Sequence, residues 1–477
     1  MGLVLSGGGA KGIAHIGVLK VIEEAGIPID YIGGTSMGSI IGGLYAIGYS
    51  ADSIESLVVS QDWDKLLSDY VSRKSLSIEE KDDYEKYALS FPILENRIQL
   101  PSGLLAGQNA SNLLSKLCWH VYEIEDFSKF KIPFLCVATN IENGEYVVLD
   151  KGYLPDAIQA SMAIPSIFSP VEIDGKLLID GGLANNFPVG EVKKMGADII
   201  IGVDVGFHAY TKEELGSIDK ILKQIIFFYS HELKLENEEK TDILIKPKIK
   251  EYGASSFNNY DSLISRGEQA ARKTFHSLKN LADSLKNFED GNSFEKYDKS
   301  IDSLYIEEIQ ITGLKNVSEK LLLGRLQLEI PETITPDELS DAISRVYGSM
   351  FFEKVTYRFE PGVQGVKLII KVIERETNFF KVGLHYDSDF KTQIILNTTF
   401  RNLLIDGSKL TLDLGLGDYP SFKTSYLINR GWKPGFGFDG SFRNFEVYEY
   451  NDENKIASYS FSNLTTSLYI QSIFYNS

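Results

Sequence analysis

The chain has 477 residues, of which 43% are hydrophobic, and it carries a formal net charge of −18. This length predicts about three domains, and the acidity argues against nucleic acid as the main partner. No stretch contains 18 consecutive apolar residues, which argues against a transmembrane helix. Cys118 and Cys136 lack metal-ligand spacing, so we expect buried free thiols that indicate no particular compartment.

The chain opens with a buried apolar strand, residues 2–6, and no signal peptide precedes it. We therefore expect either a cytoplasmic protein or a chain whose start is missing. The strand leads into a glycine loop, GGGAKG, and then into a helix that ends at Gly26 and Pro28. The loop consists of Gly7, Gly8, Gly9, Ala10, Lys11 and Gly12.

This glycine loop has two functional interpretations, and glycines with a purely structural role are a third possibility. A dinucleotide fingerprint would need an acidic residue at the end of the second strand, and that strand offers none. We favour an oxyanion hole, in which backbone N–H groups face the charge that develops on a carbonyl oxygen. Lys11 either adds positive charge for a lipid phosphate or is solvated.

Residues 31–45, YIGGTSMGSIIGGLY, predict a strand, a sharp turn and a helix. Ser36 lies in the turn, with Gly34 two residues before it and Gly38 two residues after it, as in the G-x-S-x-G nucleophile elbow. The alternative is a serine that only caps the helix. Strand, glycine loop, helix, strand, elbow and helix together predict a parallel α/β domain.

Residues 50–105 are polar and variable in period, which we interpret as a helical excursion that could serve as a lid over the site. We expect its charge run, residues 79–86, to be a solvated face. A helix is predicted at 107–122 and a buried strand at 132–140, followed by a hairpin turn at Asn143-Gly144. A short helix at 154–164 ends at Pro165.

A hairpin at residues 171–179 then delivers Asp180, Gly181 and Gly182 at the end of a strand. Asp180 can accept the proton of Ser36 directly if burial raises its pKa toward neutrality. A Ser-His-Asp triad would instead need a histidine after the acid, and His208 is the one positioned to fit. His15 lies on the first helix, where we expect it to pack.

Together, the loop GGGAKG, the elbow GTSMG, the turn DGG and the segment ASMAIP at 160–165 resemble the patatin-like phospholipases over about residues 2–205. The resemblance implies an α/β fold with a mostly parallel sheet and helices on both faces. It implies Ser36 as nucleophile, Asp180 as its base without histidine, and an oxyanion hole formed by Gly8, Gly9 and their neighbours. It also implies an acyl-enzyme mechanism on glycerolipids, with no metal and no cofactor.

The second half changes character after a predicted linker at 287–299. Helices at 211–235 and 258–288, with a strand at 242–246 between them, complete the first domain. Residues 305–374 follow the order β-α-α-β-β, with a capping box formed by Thr335 and Glu338. This order is similar to a POTRA domain, a periplasmic module that precedes outer-membrane barrels and can bind extended chains by strand addition.

After Thr377 the chain predicts about six long strands that alternate apolar and polar residues. Such strands suit a transmembrane β-barrel, and a soluble antiparallel sheet is the alternative. The smallest membrane barrels have about eight strands, so we expect a fragment of a longer outer-membrane protein. Patatin, POTRA and barrel in this order resemble the patatin-type autotransporters of Gram-negative bacteria.

These observations predict three domains, at residues 1–290, 300–376 and 377–477. The predicted function is phospholipase A-type hydrolysis at the bacterial outer membrane, with the enzyme domain periplasmic or surface exposed. Membrane phospholipids and the outer membrane are the expected partners, nucleic acid is not, and a homodimer is allowed. The alternative function is a non-catalytic secretion or assembly module whose α/β domain binds lipid.

Overall fold

The computed structural model describes residues 1–77, 80–81, 83–95, 97–99, 103–206, 209–285, 301–387, 391–405, 408–430, 433–451 and 454–471. In these ranges the chain forms an α/β domain, a small α+β domain and a long antiparallel sheet. The predicted linker at 287–299 and His208 lie outside the described residues. No helix in the described ranges combines the length and apolar character needed to cross a membrane.

The α/β domain and its excursion contain twelve strands and ten α-helices among the described residues. In chain order these are β1 (Gly2–Leu5), α1 (Ala14–Ala25), β2 (Tyr31–Thr35), α2 (Met37–Ala46), α3 (Ala51–Val59), α4 (Trp63–Leu66), β3 (Leu89–Leu94), β4 (Arg97–Ile98), β5 (Gly103–Leu105), α5 (Gln108–Leu117), β6 (Phe134–Asn140), β7 (Tyr146–Leu149), α6 (Leu154–Met162), β8 (Ser166–Phe168), β9 (Val171–Ile173), β10 (Lys176–Asp180), α7 (Val189–Lys194), β11 (Ile200–Val203), α8 (Ile218–Glu239), β12 (Ile243–Ile245), α9 (Tyr260–Arg272) and α10 (Phe275–Leu285).

The main sheet has the order β12-β11-β1-β2-β6-β10-β9, with β7 also paired to β6. Strands β12, β11, β1, β2 and β6 are parallel, and β10, β9 and β7 are antiparallel. Leu3 and Leu5 are buried in one hydrophobic cluster, whereas Val4 is buried in a second cluster with residues of α7. Successive strand residues point to opposite faces, so both faces of the sheet are covered. The predicted α/β fold is confirmed.

The sheet register brings the predicted motifs to one edge. Leu5 of β1 is paired with Gly34 of β2, so the glycine loop and the elbow begin beside each other. Thr35 is paired with Val137 of β6, and the next residue of β6, Ala138, is paired with Asp180 at the end of β10. Ser36 and Asp180 therefore lie on either side of a single strand.

The second domain has β14-β13-β16-β15 as its sheet order, with β13 parallel to β16. Its elements are β13 (Leu304–Thr312), α11 (Glu319–Leu326), β14 (Glu332–Ile334), α12 (Pro336–Tyr347), β15 (Phe352–Pro361) and β16 (Val366–Glu374). The predicted order and the capping box of Thr335 and Glu338 are confirmed, and the short strand β14 is an addition. Val71, Leu76 and Trp119 from the first domain are buried in the core of the second.

The third unit is an antiparallel sheet of six long strands, to which β3 and β4 of the first domain are added. The strands are β17 (Asn378–Asp387), β18 (Lys391–Arg401), β19 (Ser408–Gly417), β20 (Ser421–Arg430), β21 (Lys433–Asn451) and β22 (Asn454–Gln471). One face exposes apolar side chains, including Leu384, Ile394, Leu414, Phe422, Phe442 and Leu464. The other carries polar side chains that are buried, including Gln393, Asn397, Thr399 and Asp413.

Two predictions about the excursion at residues 50–105 are wrong. It is helical only in α3 and α4, and afterwards it forms β3, β4 and β5. The charge run at 79–86 is not a solvated face, because Glu80 is 7% exposed and Lys86 bonds to Asp413. The strand and the ion pair depend on residues of the third sheet, which lie between 287 and 327 positions later in the chain.

Candidate active site

Ser36 lies in a strained turn between β2 and α2. Its φ is 54° and its ψ is −122°, a left-handed region that non-glycine residues rarely adopt. A β-carbon on Gly34 would lie 2.4 Å from the carbonyl oxygen of Gly38, and one on Gly38 would lie 2.1 Å from that of Leu5. The two glycines are therefore required by close backbone contacts, as a nucleophile elbow demands.

Asp180 accepts a hydrogen bond from Ser36 Oγ, with 2.6 Å between Oγ and Oδ2. Its other carboxylate oxygen, Oδ1, accepts from the backbone N–H of Gly182 at 2.7 Å. Burial raises the pKa of Asp180 from 3.8 to about 6, against the opposing effect of these two hydrogen bonds. The carboxylate is thus a stronger base than an exposed aspartate, and it is still mostly ionised at pH 7.

The glycine loop lies directly beside the serine. A β-carbon on Gly7 would be 2.9 Å from Cβ of Ser36, so a side chain there would displace the nucleophile. The N–H groups of Gly7 and Ala10 already donate, to the carbonyl oxygens of Asn186 and Ala254. Among the described residues none accepts a hydrogen bond from the N–H of Gly8 or Gly9. The six-residue oxyanion hole stays a prediction, and the amides of Gly8 and Gly9 are its strongest candidates.

Ser161 is a residue of the site whose role the sequence analysis did not identify. Its Oγ accepts a hydrogen bond from the backbone N–H of Ser36 at 2.9 Å and donates to the carbonyl oxygen of Val137 at 2.6 Å. The side chain is fully buried. Ser161 thus fixes the backbone of the elbow to β6. The sequence signal for Ser161 was its position within the segment ASMAIP, but this position does not show which group its hydroxyl contacts.

Two polar side chains make further hydrogen bonds at the loop. Asn186 Nδ2 donates to the carbonyl oxygen of Gly7 at 3.2 Å and so links the D-G-G turn region to the loop. Lys11 Nζ donates to the carbonyl oxygen of Gly206 at 3.0 Å, and burial lowers its pKa to about 8. The ammonium group of Lys11 thus has a hydrogen-bond acceptor within the protein.

The histidines do not join this arrangement where the structure describes them. His15 is buried, its Nε2 lies 2.8 Å from the carbonyl oxygen of Ser6, and burial lowers its pKa to about 4. It packs, as predicted. The triad alternative rests on His208, which lies outside the described ranges. No imidazole lies between Ser36 and Asp180, because their side chains are in direct contact.

Three family models match parts of the chain. A model described as patatin-like phospholipase matches residues 3–193. These residues belong to the patatin-like phospholipase family. A POTRA model, described as surface antigen variable number repeat, matches residues 304–375, and an OMP85 superfamily model matches 366–477. The predicted order of patatin, POTRA and OMP85-type regions is confirmed, and the last match indicates an outer-membrane protein. The residue boundaries chosen in the sequence analysis stay a prediction.

The patatin domain has curated relatives among fungal enzymes. The chain is 35% identical to lysophospholipase NTE1 of Candida albicans over 206 residues, which cover 43% of this chain and 13% of that protein. It is 28% identical to lysophospholipase NTE1 of Meyerozyma guilliermondii over 310 residues, 58% of this chain and 19% of that protein. The chain thus spans less than a fifth of the length of these relatives.

Two solved structures resemble parts of the chain. VipD from Legionella pneumophila is 16% identical, with a TM-score of 0.32 over 58% of this chain and 66% of that one. BamA from Haemophilus ducreyi is 20% identical, with a TM-score of 0.24 over 30% of this chain and 28% of that one. Because both TM-scores lie below 0.5, the assignment of the patatin domain rests on the sequence matches and on the site geometry.

Proposed function

We propose that this chain is a lipid acyl hydrolase of the phospholipase A type, which cleaves ester bonds of glycerophospholipids through a Ser36–Asp180 dyad. The observation that carries the proposal is the 2.6 Å contact between Ser36 Oγ and Asp180 Oδ2 at a strained elbow. Patatin-family membership and the lysophospholipase names of the relatives support lipid esters as substrates.

The proposed reaction has two half-reactions. Asp180 Oδ2 accepts the Ser36 proton while Oγ attacks the ester carbonyl, and the N–H groups of Gly8 and Gly9 stabilise the oxyanion that forms. The intermediate then expels the alcohol, which takes the proton from Asp180 and leaves an acyl group on Ser36. Water, deprotonated by Asp180, hydrolyses this ester and restores the free serine.

The test uses the full chain reconstituted in vesicles of defined phospholipids. We expect fatty-acid release and labelling by a fluorophosphonate probe, and we expect Ser36→Ala to lose labelling and about 10⁴-fold or more of the rate. Ser60→Ala is the matched control, because Ser60 is exposed at the C-terminal end of α3 and its hydroxyl bonds only to the nearby residues Leu57 and Gln61. Folded protein with no labelling and no fatty-acid release would favour the alternative, a lipid-binding secretion or assembly module.

We further propose that the third sheet belongs to a membrane-spanning barrel. Its exposed face carries large apolar side chains in register across neighbouring strands, for example Leu414, Phe422, Phe442 and Leu464. A contiguous apolar surface of this kind is unfavourable in water and suits contact with lipid. Carbonate extraction of membranes tests this part: a spanning sheet stays in the membrane fraction, and a peripheral one is released.

A further inference from the structure

Part of the enzyme domain covers the polar face of the third sheet. We define this plug segment as Glu80 together with residues 83–94. We infer that it inserts into the polar interior of the barrel from the end nearest the POTRA domain, so that the enzyme domain lies on the POTRA side of the membrane. The inference rests on the proposal that the sheet spans a membrane.

The first supporting observation is the backbone pairing between the plug segment and β17. Strand β3 is antiparallel to β17, with Pro92 opposite Phe379 and Leu89 opposite Val382. The N–H of Ala88 also donates to the carbonyl oxygen of Val382 at 2.9 Å. These backbone hydrogen bonds hold the plug segment beside the start of β17.

Buried charge pairs are the second, independent support. Glu80, 9% exposed at its side chain, accepts from Arg401 at 2.7 Å and from Lys409 at 3.0 Å. Lys409 also donates to Asp83 at 2.8 Å. Buried charges need partners, since an unpaired one is strongly unfavourable. The charges of the plug segment and of the sheet therefore match each other at specific positions.

A second cluster lies deeper along the strands. Lys86 Nζ donates to Asp413 Oδ2 at 2.5 Å, and the hydroxyl of Tyr87 donates to Asp413 Oδ1 at 2.7 Å. Asn397 Nδ2 contacts the same carboxylate from the neighbouring strand. Asp413 is the sixth residue of the ten-residue strand β19. The plug segment therefore reaches about halfway along the strands. There it supplies hydrogen-bond and ion-pair partners for buried polar side chains of the sheet, which lipid could not supply.

The direction of entry follows from the chain connection. β17 begins at Asn378, soon after the last POTRA strand ends at Glu374, so the start of β17 is the POTRA end of the sheet. The plug segment pairs with β17 from Phe379 to Val382, next to that end. Its two ends return to the enzyme domain, which also packs against the POTRA domain. Both contacts place the enzyme domain on one side of the membrane.

The contact between the enzyme and POTRA domains involves different residues and also places the enzyme domain on the POTRA side of the membrane. The side chain of Gln108 accepts from the N–H of Val355 and donates to its carbonyl oxygen, both at 2.8 Å. Asn112 donates to Ser340 at 2.9 Å on α12. These bonds lie outside the plug segment. Two separate contacts, the plug segment on the third sheet and the interface with the POTRA domain, thus place the enzyme domain at the same end of the sheet.

The first experiment measures sidedness in a Gram-negative host. Protease recognition sites are inserted into the full chain at two exposed turns, Asn143-Gly144 in the enzyme domain and Val363 in the POTRA domain. We expect both sites to show the same accessibility in intact cells and to change together when the outer membrane is permeabilised. Cleavage of one site but not the other in intact cells would overturn the inference.

The second experiment tests the insertion itself. Leu89→Cys with Val382→Cys should form a disulfide on mild oxidation, because the two residues are directly paired. Ile98→Cys with Val382→Cys is the control, since Ile98 is paired with Ile93 instead. Crosslinking only in the first pair supports insertion, and equal or absent crosslinking in both pairs contradicts it.

Charge reversal adds specificity to that readout. Glu80→Arg alone should lower the crosslink yield several-fold, because it opposes Arg401 and Lys409, and Arg401→Glu in the same chain should restore part of it. If neither change alters the crosslink yield, the ion pairs do not stabilise the position of the plug segment. These outcomes are separate from those of the proposed function: loss of labelling at Ser36 refutes the hydrolase, and release by carbonate refutes the membrane-spanning sheet.

Discussion

The raised pKa of Asp180 predicts that the proposed base destabilises the fold at neutral pH. Its pKa rises from 3.8 to about 6 on burial, which at 1.36 kcal/mol per pKa unit corresponds to about 3 kcal/mol. Between about pH 4 and pH 6 the folded chain retains a proton that the unfolded chain has released. The free energy of unfolding therefore falls as the pH rises through this window, and the full cost is present above it.

The perturbation is Asp180→Asn, which has the same shape and no charge. Its amide oxygen can accept from the N–H of Gly182, and its NH₂ group can donate to Ser36 Oγ, so both contacts of the carboxylate have a replacement. We expect the variant to lose hydrolysis and to unfold at a higher temperature than the unchanged chain. For a domain of this size, about 3 kcal/mol corresponds to a rise of about 5 °C at pH 8.

The assay is thermal unfolding of the full chain in detergent, followed by tryptophan fluorescence; two of the three tryptophans of the chain, Trp63 and Trp119, lie in the enzyme domain. The difference between variant and unchanged chain should be largest near pH 8 and should disappear near pH 4. Asp174→Asn, in the exposed turn of the preceding hairpin, is the control and should change the melting temperature little. A variant that is no more stable at pH 8, or a difference that does not shrink with acid, would refute the reasoning.

Three other predictions concern the rate and the elbow. Hydrolysis should increase with pH through an apparent pKa near 6, that of Asp180, and level off above about pH 7; a flat pH–rate profile between pH 5 and 8 would be inconsistent with this base. Ser161→Ala leaves the N–H of Ser36 buried without its acceptor, which costs about 1–3 kcal/mol, so kcat should fall about tenfold or more with little change in KM; an unchanged kcat would argue against its positioning role. Gly38→Ala forces a β-carbon to within 2.1 Å of a carbonyl oxygen and should abolish fluorophosphonate labelling, whereas Gly216→Ala, in open space, should label normally.

The structure brings Ser36 and Asp180 into contact, as the short motifs predict, while their catalytic roles stay a prediction. A glycine two residues from a strained serine is needed for local backbone reasons, so Gly34, Ser36 and Gly38 could be recognised from the sequence. The approach of Asp180 to Ser36 was expected from the motifs, but its route was not: β10 is antiparallel and is separated from β2 by β6, and it ends opposite Ala138, one residue beyond the partner of Thr35. Ser161 was not identified, since its role depends on which hydroxyl of a helix meets the N–H of Ser36.

The predictions for the excursion failed for a different reason. Leu89–Leu94 becomes a strand because the edge of β17 is there to pair with it, and no local pattern indicates a partner about 290 residues away. Glu80 looked like part of a solvated charge run, and it is buried because Arg401 and Lys409 meet it. Local sequence reports the propensity of a segment, whereas its burial is decided by the surface that packs against it.

The enzyme domain and the POTRA domain share a hydrophobic core, and this affects how the hydrolase should be studied. Trp119 is 3% exposed and meets the ring of Phe359 edge to face, with centroids 4.8 Å apart. Val71 and Leu76 of the excursion are buried in the same cluster. Cutting the chain after residue 285 would expose all three side chains to water and remove the partners of Gln108 and Glu80. Loss of activity in such a fragment would therefore not distinguish a missing catalytic group from a domain that lacks its packing surface, and only point variants of the full chain separate the two.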